Sequence, residues 1–160
     1  MNKLHTELFN SKFGYKTALL LSCLLLCNPT FSAGSLEMQV EKMVKTALKS
    51  YNKSMKEKSP QDWLKYFTED VMLKAPKTNL SGITKLTEYY TDHFQNYNAK
   101  YEVQKIIVKG RSAAAELIWS GSDRNNQKDI EVEMVILFEL SPSGKFDSVS
   151  LYFDTSKLSN

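Results

Sequence analysis

Ser59-Pro60-Gln61-Asp62-Trp63-Leu64-Lys65-Tyr66-Phe67-Thr68-Glu69-Asp70-Val71-Met72-Leu73-Lys74-Ala75-Pro76 decides how this chain folds. Ser59 suits a helix N-cap and Pro60 the first helical position. Asp62, three residues past the cap, suits the acidic partner of a capping box. Trp63, Leu64 and Phe67 then share a face that can turn to a core. The helix runs out at the acidic pair Glu69-Asp70, and residues 71–74 read as a short strand. Pro76, with no N–H to donate, stops that strand. A short capped helix passing directly into a strand predicts an α+β chain, with helices and sheet packed as separate layers.

Working outward, Val40, Met43, Val44, Ala47, Leu48, Tyr51 and Met55 recur at three- and four-residue steps, predicting a long helix over residues 36–56. At about 100° per residue they gather on one side, and Lys42, Lys45, Lys49, Lys53 and Lys56 gather within about 80° on the other. The lysine row reads first as a solvated face; its alternative is contact with an acidic surface or anionic lipid. Downstream, Pro76, Asn79 and Gly82 mark a loop. A helix over residues 83–97 turns Leu86, Tyr89 or Tyr90, and Phe94 inward. Everything after residue 100 reads as strand: 101–109 ending at Gly110, 112–120 ending at Gly121, 129–140, and 145–154 after the turn Ser141-Pro142-Ser143-Gly144. Strands joined by such short turns pair as an antiparallel meander.

The first residues read as a signal peptide over residues 1–33. Lys3, Lys12 and Lys16 make a positive region, and an apolar run over residues 18–27 follows. That run has the length of a signal-peptide core and falls short of the roughly 20 residues a membrane span needs. Small residues from Ser32 to Gly34 supply a cleavage site. A buried N-terminal helix is the alternative reading. A lipoprotein anchored through Cys23, after Leu20-Leu21-Ser22, is another; Cys27 fits less well after the bulky Leu26. Cleavage leaves 127 of the 160 residues as a single domain, with 18 basic and 17 acidic residues. A net charge of +1 gives no basis for nucleic-acid binding. Both cysteines, Cys23 and Cys27, go with the leader, so the mature chain, secreted or periplasmic, has no disulfide and no thiolate metal site. His93 is its sole histidine, His5 lying in the leader. No metal or cofactor is expected.

The order Trp63-Leu64, Phe67-Thr68-Glu69-Asp70-Val71, Ala75-Pro76, Gly82-Ile83, Phe138, Gly144-Lys145 and Tyr152-Phe153-Asp154 resembles the nuclear transport factor 2-like superfamily, in particular its SnoaL-like polyketide-cyclase branch. The resemblance spans residues 40–158. It implies an α+β cone: a curved antiparallel sheet wrapped by three N-terminal helices, its inner wall lined by alternate strand residues. It also implies a homodimer formed through the outer face of the sheet. Alternation puts Val132, Met134 and Ile136 on the inner face of one strand and Val149, Leu151 and Phe153 on that of another, with Tyr51, Phe67, Ala75, Tyr90 and Phe94 added from elsewhere. Such a pocket suits a small hydrophobic molecule.

The superfamily hosts many activities, so the residues must decide. Ketosteroid isomerases of this fold carry a base just before the strand proline, a protonated acid on the long strand and a tyrosine on the first helix. Those positions fall on Ala75, Ile136 and Tyr51. Neither a methyl group nor an aliphatic side chain moves a proton, so that chemistry is not expected. Tyr51 reads first as a core tyrosine, and otherwise as a hydroxyl that meets a ligand. The limonene epoxide hydrolases of the fold use an Asp-Arg-Asp relay, but Arg111 and Arg124 both sit at turns. Glu116, Glu131, Glu133 and Lys74 alternate with apolar neighbours and should face outward, and Asp154 sits at a strand end. Tyr51, Tyr90 and His93 remain as candidates for catalysis. The reading is therefore a noncatalytic binder of a small apolar molecule. An isomerase, dehydratase or cyclase and a dimeric interaction module stand as alternatives.

Overall fold

Burial of one helical stripe organises the domain. In the computed structural model, which describes residues 33–158, helix α1 (Ala33–Glu57) buries Val40, Val44, Ala47, Leu48, Tyr51 and Met55. The expected leader, with His5, Cys23 and Cys27, lies outside the described residues. The five lysines on the far side of α1 are all exposed. Lys45 pairs with Glu41 at 2.5 Å, and Lys53 with Asp62 at 2.6 Å.

The end of α1 departs from the sequence reading. Lys58, at φ 55°, takes the left-handed position that usually falls to glycine. Its N–H reaches the Met55 carbonyl at 3.4 Å, and the Ser59 N–H reaches the Ser54 carbonyl at 3.0 Å. Ser59 is thereby committed to closing α1, and it does not cap the next helix, α2 (Gln61–Leu64), which has no side-chain cap. The capping box is replaced by tertiary bonds. Ser50 Oγ donates to the Asp62 carbonyl at 2.8 Å, and the Asp62 carboxylate takes Lys53 and Lys65. These bonds clamp α2 against α1 and bury Trp63 and Leu64.

Strand β1 (Phe67–Ala75) starts earlier than expected, because Phe67 pairs with Phe146 and the Tyr66 carbonyl accepts the Phe146 N–H at 2.8 Å. The stretch after Pro76, expected to be loop, is strand β2 (Thr78–Ser81), hairpinned to β1. Lys77 at φ 67° makes that turn where glycine or asparagine would have signalled it. Gly82, at φ 91°, opens helix α3 (Ile83–Asn96), a backbone that side chains rarely allow.

Strands β3 (Tyr97–Lys109), β4 (Ser112–Asp123), β5 (Asp129–Leu140) and β6 (Phe146–Phe153) form the antiparallel meander. The sheet order is β2-β1-β6-β5-β4-β3, and the β1–β6 pair is parallel. The sheet is therefore mixed, where an all-antiparallel one was expected, because β1 reaches β6 only by way of α3 and the other three strands. The edge strand β3 is partly covered by α1. Asn52 donates to the Tyr101 carbonyl at 2.9 Å and accepts from its N–H at 2.7 Å, doing the work of a neighbouring strand.

Glu116, Glu131, Glu133 and Lys74 face outward, as alternation requires. The β3–β4 pair makes one close approach. A Cβ built on Gly121 would lie 2.5 Å from Ala99 Cα, so only a glycine fits opposite Ala99. Gly121→Ala should cost about 1–3 kcal/mol by overpacking. Urea unfolding would measure it, and an unchanged midpoint would show that the strands can part there without cost.

Candidate functional site

Along α3, Tyr89 and His93 stand four residues apart and Tyr90 and Phe94 likewise, so two aromatic rows face the sheet. Phe94 and Tyr90 are buried, and Tyr89 and His93 are half-buried. Between α3 and the inner face of β3–β6 lies a cavity of about 280 Å³. One wall is aromatic: Tyr89, Tyr90 and His93 from α3, Tyr97 and Tyr101 from β3, and Trp119 from β4. The other is apolar: Val132, Met134, Leu151 and Phe153, with the exposed Asp92 at the rim.

Beneath the aromatic wall lies a hydrogen-bonded chain. Tyr51, with no exposed surface, sends its hydroxyl from α1 to within 2.9 Å of His93 Nε2. Trp119 Nε1 donates to the same hydroxyl at 3.1 Å. Burial holds the Tyr51 phenol well above its ordinary pKa, with the Trp119 bond opposing the rise, so it keeps its proton. The bond between the Tyr51 hydroxyl and His93 Nε2 runs in the direction that the ring tautomer sets, and Tyr101 also bonds to that hydroxyl. Burial also pulls the His93 pKa from 6.5 down to about 4, against a weaker opposing pull from Asp92. At neutral pH the imidazole is uncharged. Tyr89 stacks on it at 6.0 Å with the planes 4° apart.

Of the residues expected to line the cone, Tyr90, Val132, Met134, Leu151 and Phe153 border the cavity, as does His93. Tyr51 sits behind the wall and meets the cavity only through His93. Phe67, Phe94, Ile136 and Val149 are packed in the core at 2% exposure or less and do not border it. Their inward direction follows from alternation, but the narrow end of the cone is filled by rings. Phe67 meets Trp63 at 4.8 Å and Phe146 at 5.6 Å, and Phe146 meets Phe138 at 4.7 Å. Ala75 lies at the β1–β2 hairpin, beside a separate shallow depression with Pro76 and Ser150. Arg124 is tied to the Tyr97 carbonyl at 2.8 Å. Neither it nor Arg111 borders the cavity. Among the described residues, no group of three or more His, Cys, Asp or Glu could hold a metal ion.

Composition and spacing do not single out Tyr97, Tyr101, Trp119 or Asp92 as site residues. Tyr89, His93 and Tyr97 recur at four-residue steps, which was the available signal. It was obscured because Tyr97 was read as the end of a helix, whereas it opens β3.

A model of the SnoaL-like domain matches residues 48–149. The chain belongs to the SnoaL-like domain family. Solved structures share its fold. The epoxide hydrolase/cyclase-like enzyme SalBIII, described for pyran-ring formation in the polyether salinomycin, is 21% identical over 75% of this chain and 97% of its own, with a TM-score of 0.63. A nuclear transport factor 2-like protein from Anabaena variabilis is 14% identical over 74% and 92%, with a TM-score of 0.66. A candidate SnoaL-like polyketide cyclase from Jannaschia sp. CCS1 is 14% identical over 78% and 91%, with a TM-score of 0.67. No curated protein matches the chain. Within this SnoaL-like domain the cone of the fold is present, and its open volume lies at the α3 end.

His93 also couples the site to pH. The unfolded imidazole takes a proton as pH falls through 6.5, while the folded one resists until about 4. Stability is therefore complete above pH 6.5, declines between pH 6.5 and 4, and is level below. The interval corresponds to about 3 kcal/mol. Between pH 7 and 4 the wild-type chain should lose about that much more than His93→Gln in urea unfolding. An imidazole NMR titration with a midpoint near 6.5 would contradict the burial argument.

Proposed function

We propose that this SnoaL-like domain binds a small, mainly apolar molecule in the aromatic-walled cavity and performs no chemistry on it. The observation that carries the reading is the state of the imidazole in the cavity wall, the one carboxylate there, Asp92, being exposed at the rim. His93 is uncharged, and its Nε2 is engaged by the Tyr51 hydroxyl, so only Nδ1 is left to meet a ligand. The remaining wall is ring and hydrocarbon, which gains by excluding water. Ala75 and Ile136 add no carboxyl group. Thermal unfolding with a panel of small hydrophobic ligands tests this. A ligand at a hundredfold excess over its Kd adds about 2.7 kcal/mol, and Met134→Trp, which fills the cavity, should abolish the gain. No shift with any ligand, or a shift untouched by that substitution, would count against the proposal.

A second reading, an isomerase, dehydratase or cyclase acting on a small hydrophobic substrate, is favoured by the Tyr51–His93 bond itself. In the tautomer that donates its Nε2 hydrogen to the Tyr51 oxygen, Nδ1 is a base that can take a substrate proton, leaving an imidazolium held by Tyr51. In that case Tyr51→Phe and His93→Gln both abolish turnover while the far-ultraviolet spectrum is unchanged. Turnover that survives both would remove this reading.

The export and dimer readings stand as proposals too. The leader chemistry supports a secreted or periplasmic location. Exposed Ile107, Leu137 and Tyr152 give the sheet strands apolar outer surface. Light scattering should find a dimer that Leu137→Glu converts to monomer; a wild-type monomer would defeat that proposal.

A further inference from the structure

The walls of the cavity bear on the charge of what it takes. Its lining holds no Lys or Arg, and its one charged side chain is the acidic Asp92. Asp92 pulls the His93 and Tyr89 pKa values upward, so its negative field reaches into the aromatic wall. The rings do not form a slot for a flat molecule. Tyr89 and Tyr90 meet at 79°, Tyr90 and His93 at 81°, and Tyr97 and Trp119 at 73°. Apart from the stacked Tyr89–His93 pair, these crossing rings enclose a compact, rounded group, and the negative faces of phenol and indole rings attract a cation.

We propose that the ligand of this cavity is a methylated ammonium ion carrying a small apolar body, a proposal that rests on the binding reading above. The methylated head lies against Tyr89, Tyr97 and Trp119, with Asp92 at the rim. The apolar body lies against Val132, Met134 and Leu151. A primary ammonium is excluded by its hydration. It needs three acceptors to replace its water, whereas the wall offers mainly ring faces. A trimethylammonium group spreads its charge over methyl groups that give up water readily, and aromatic walls suit it. A carboxylate ligand is excluded by Asp92 and by the lack of any cation in the lining. The volume, about 280 Å³, accommodates such a head with one ring or a short chain.

Phenyltrimethylammonium and tert-butylbenzene have the same shape and differ in charge. Each would be titrated into the full chain, followed by tryptophan fluorescence and calorimetry. The cation should bind at least tenfold more tightly. Asp92→Asn and Tyr97→Leu should each weaken the cation severalfold and move the neutral compound less than twofold. Equal or tighter binding of tert-butylbenzene overturns the cation proposal and leaves the apolar-binding reading standing. Cation binding unaffected by both substitutions places it elsewhere and overturns the proposal as well. Binding of neither compound overturns both readings.

Discussion

One phenol oxygen ties the domain together. Tyr51 comes from α1, Trp119 from β4 and His93 from α3, and their polar atoms meet at the Tyr51 hydroxyl. A buried hydroxyl without partners costs about 1–3 kcal/mol. The three elements must therefore be placed together to within hydrogen-bonding tolerance, or the core carries that cost. The rings enforce the same placement. Tyr51 lies 4.1 Å from Tyr101, 5.2 Å from Phe94 and 5.5 Å from Trp63. Hydrogen bonding and ring packing thus select one arrangement of helix and sheet.

The character of the cavity follows from that junction. Because the Tyr51 hydroxyl engages His93 Nε2, the imidazole is held in one orientation, and because its surroundings are desolvated it stays neutral. An aromatic wall with a fixed, uncharged imidazole is a surface for holding a molecule. At the other end of the cone, Phe67, Phe138 and Phe146 fill the volume with rings. The site is consequently displaced toward the C-terminal half of α3, away from Ala75.

Much of the fold was legible in short-range patterns. The buried stripe of α1 is written in its three- and four-residue steps, and the inward set of β5 in strict alternation over Asp129–Leu140. What misled was chemistry assigned to neighbours that the tertiary structure reassigned. Ser59 looked like a cap, but its N–H closes the preceding helix. Residues 78–81 looked like a loop because their turn uses Lys77. Tyr97 looked helical because it continues the spacing of Tyr89 and His93.

Local chemistry alone therefore settled which side of each helix and strand is buried, since periodicity depends only on backbone geometry. It could also establish that Ala75 and Ile136 bring no acid, since that is a matter of residue identity. Which inward residues border open space was decided by the packed structure. Ile136 and Met134 have the same direction on the same strand, and only the rings opposite them determine that one is covered and the other borders the cavity. The state of His93 was likewise out of reach of sequence, because its partner stands 42 positions away and is brought near only by the fold.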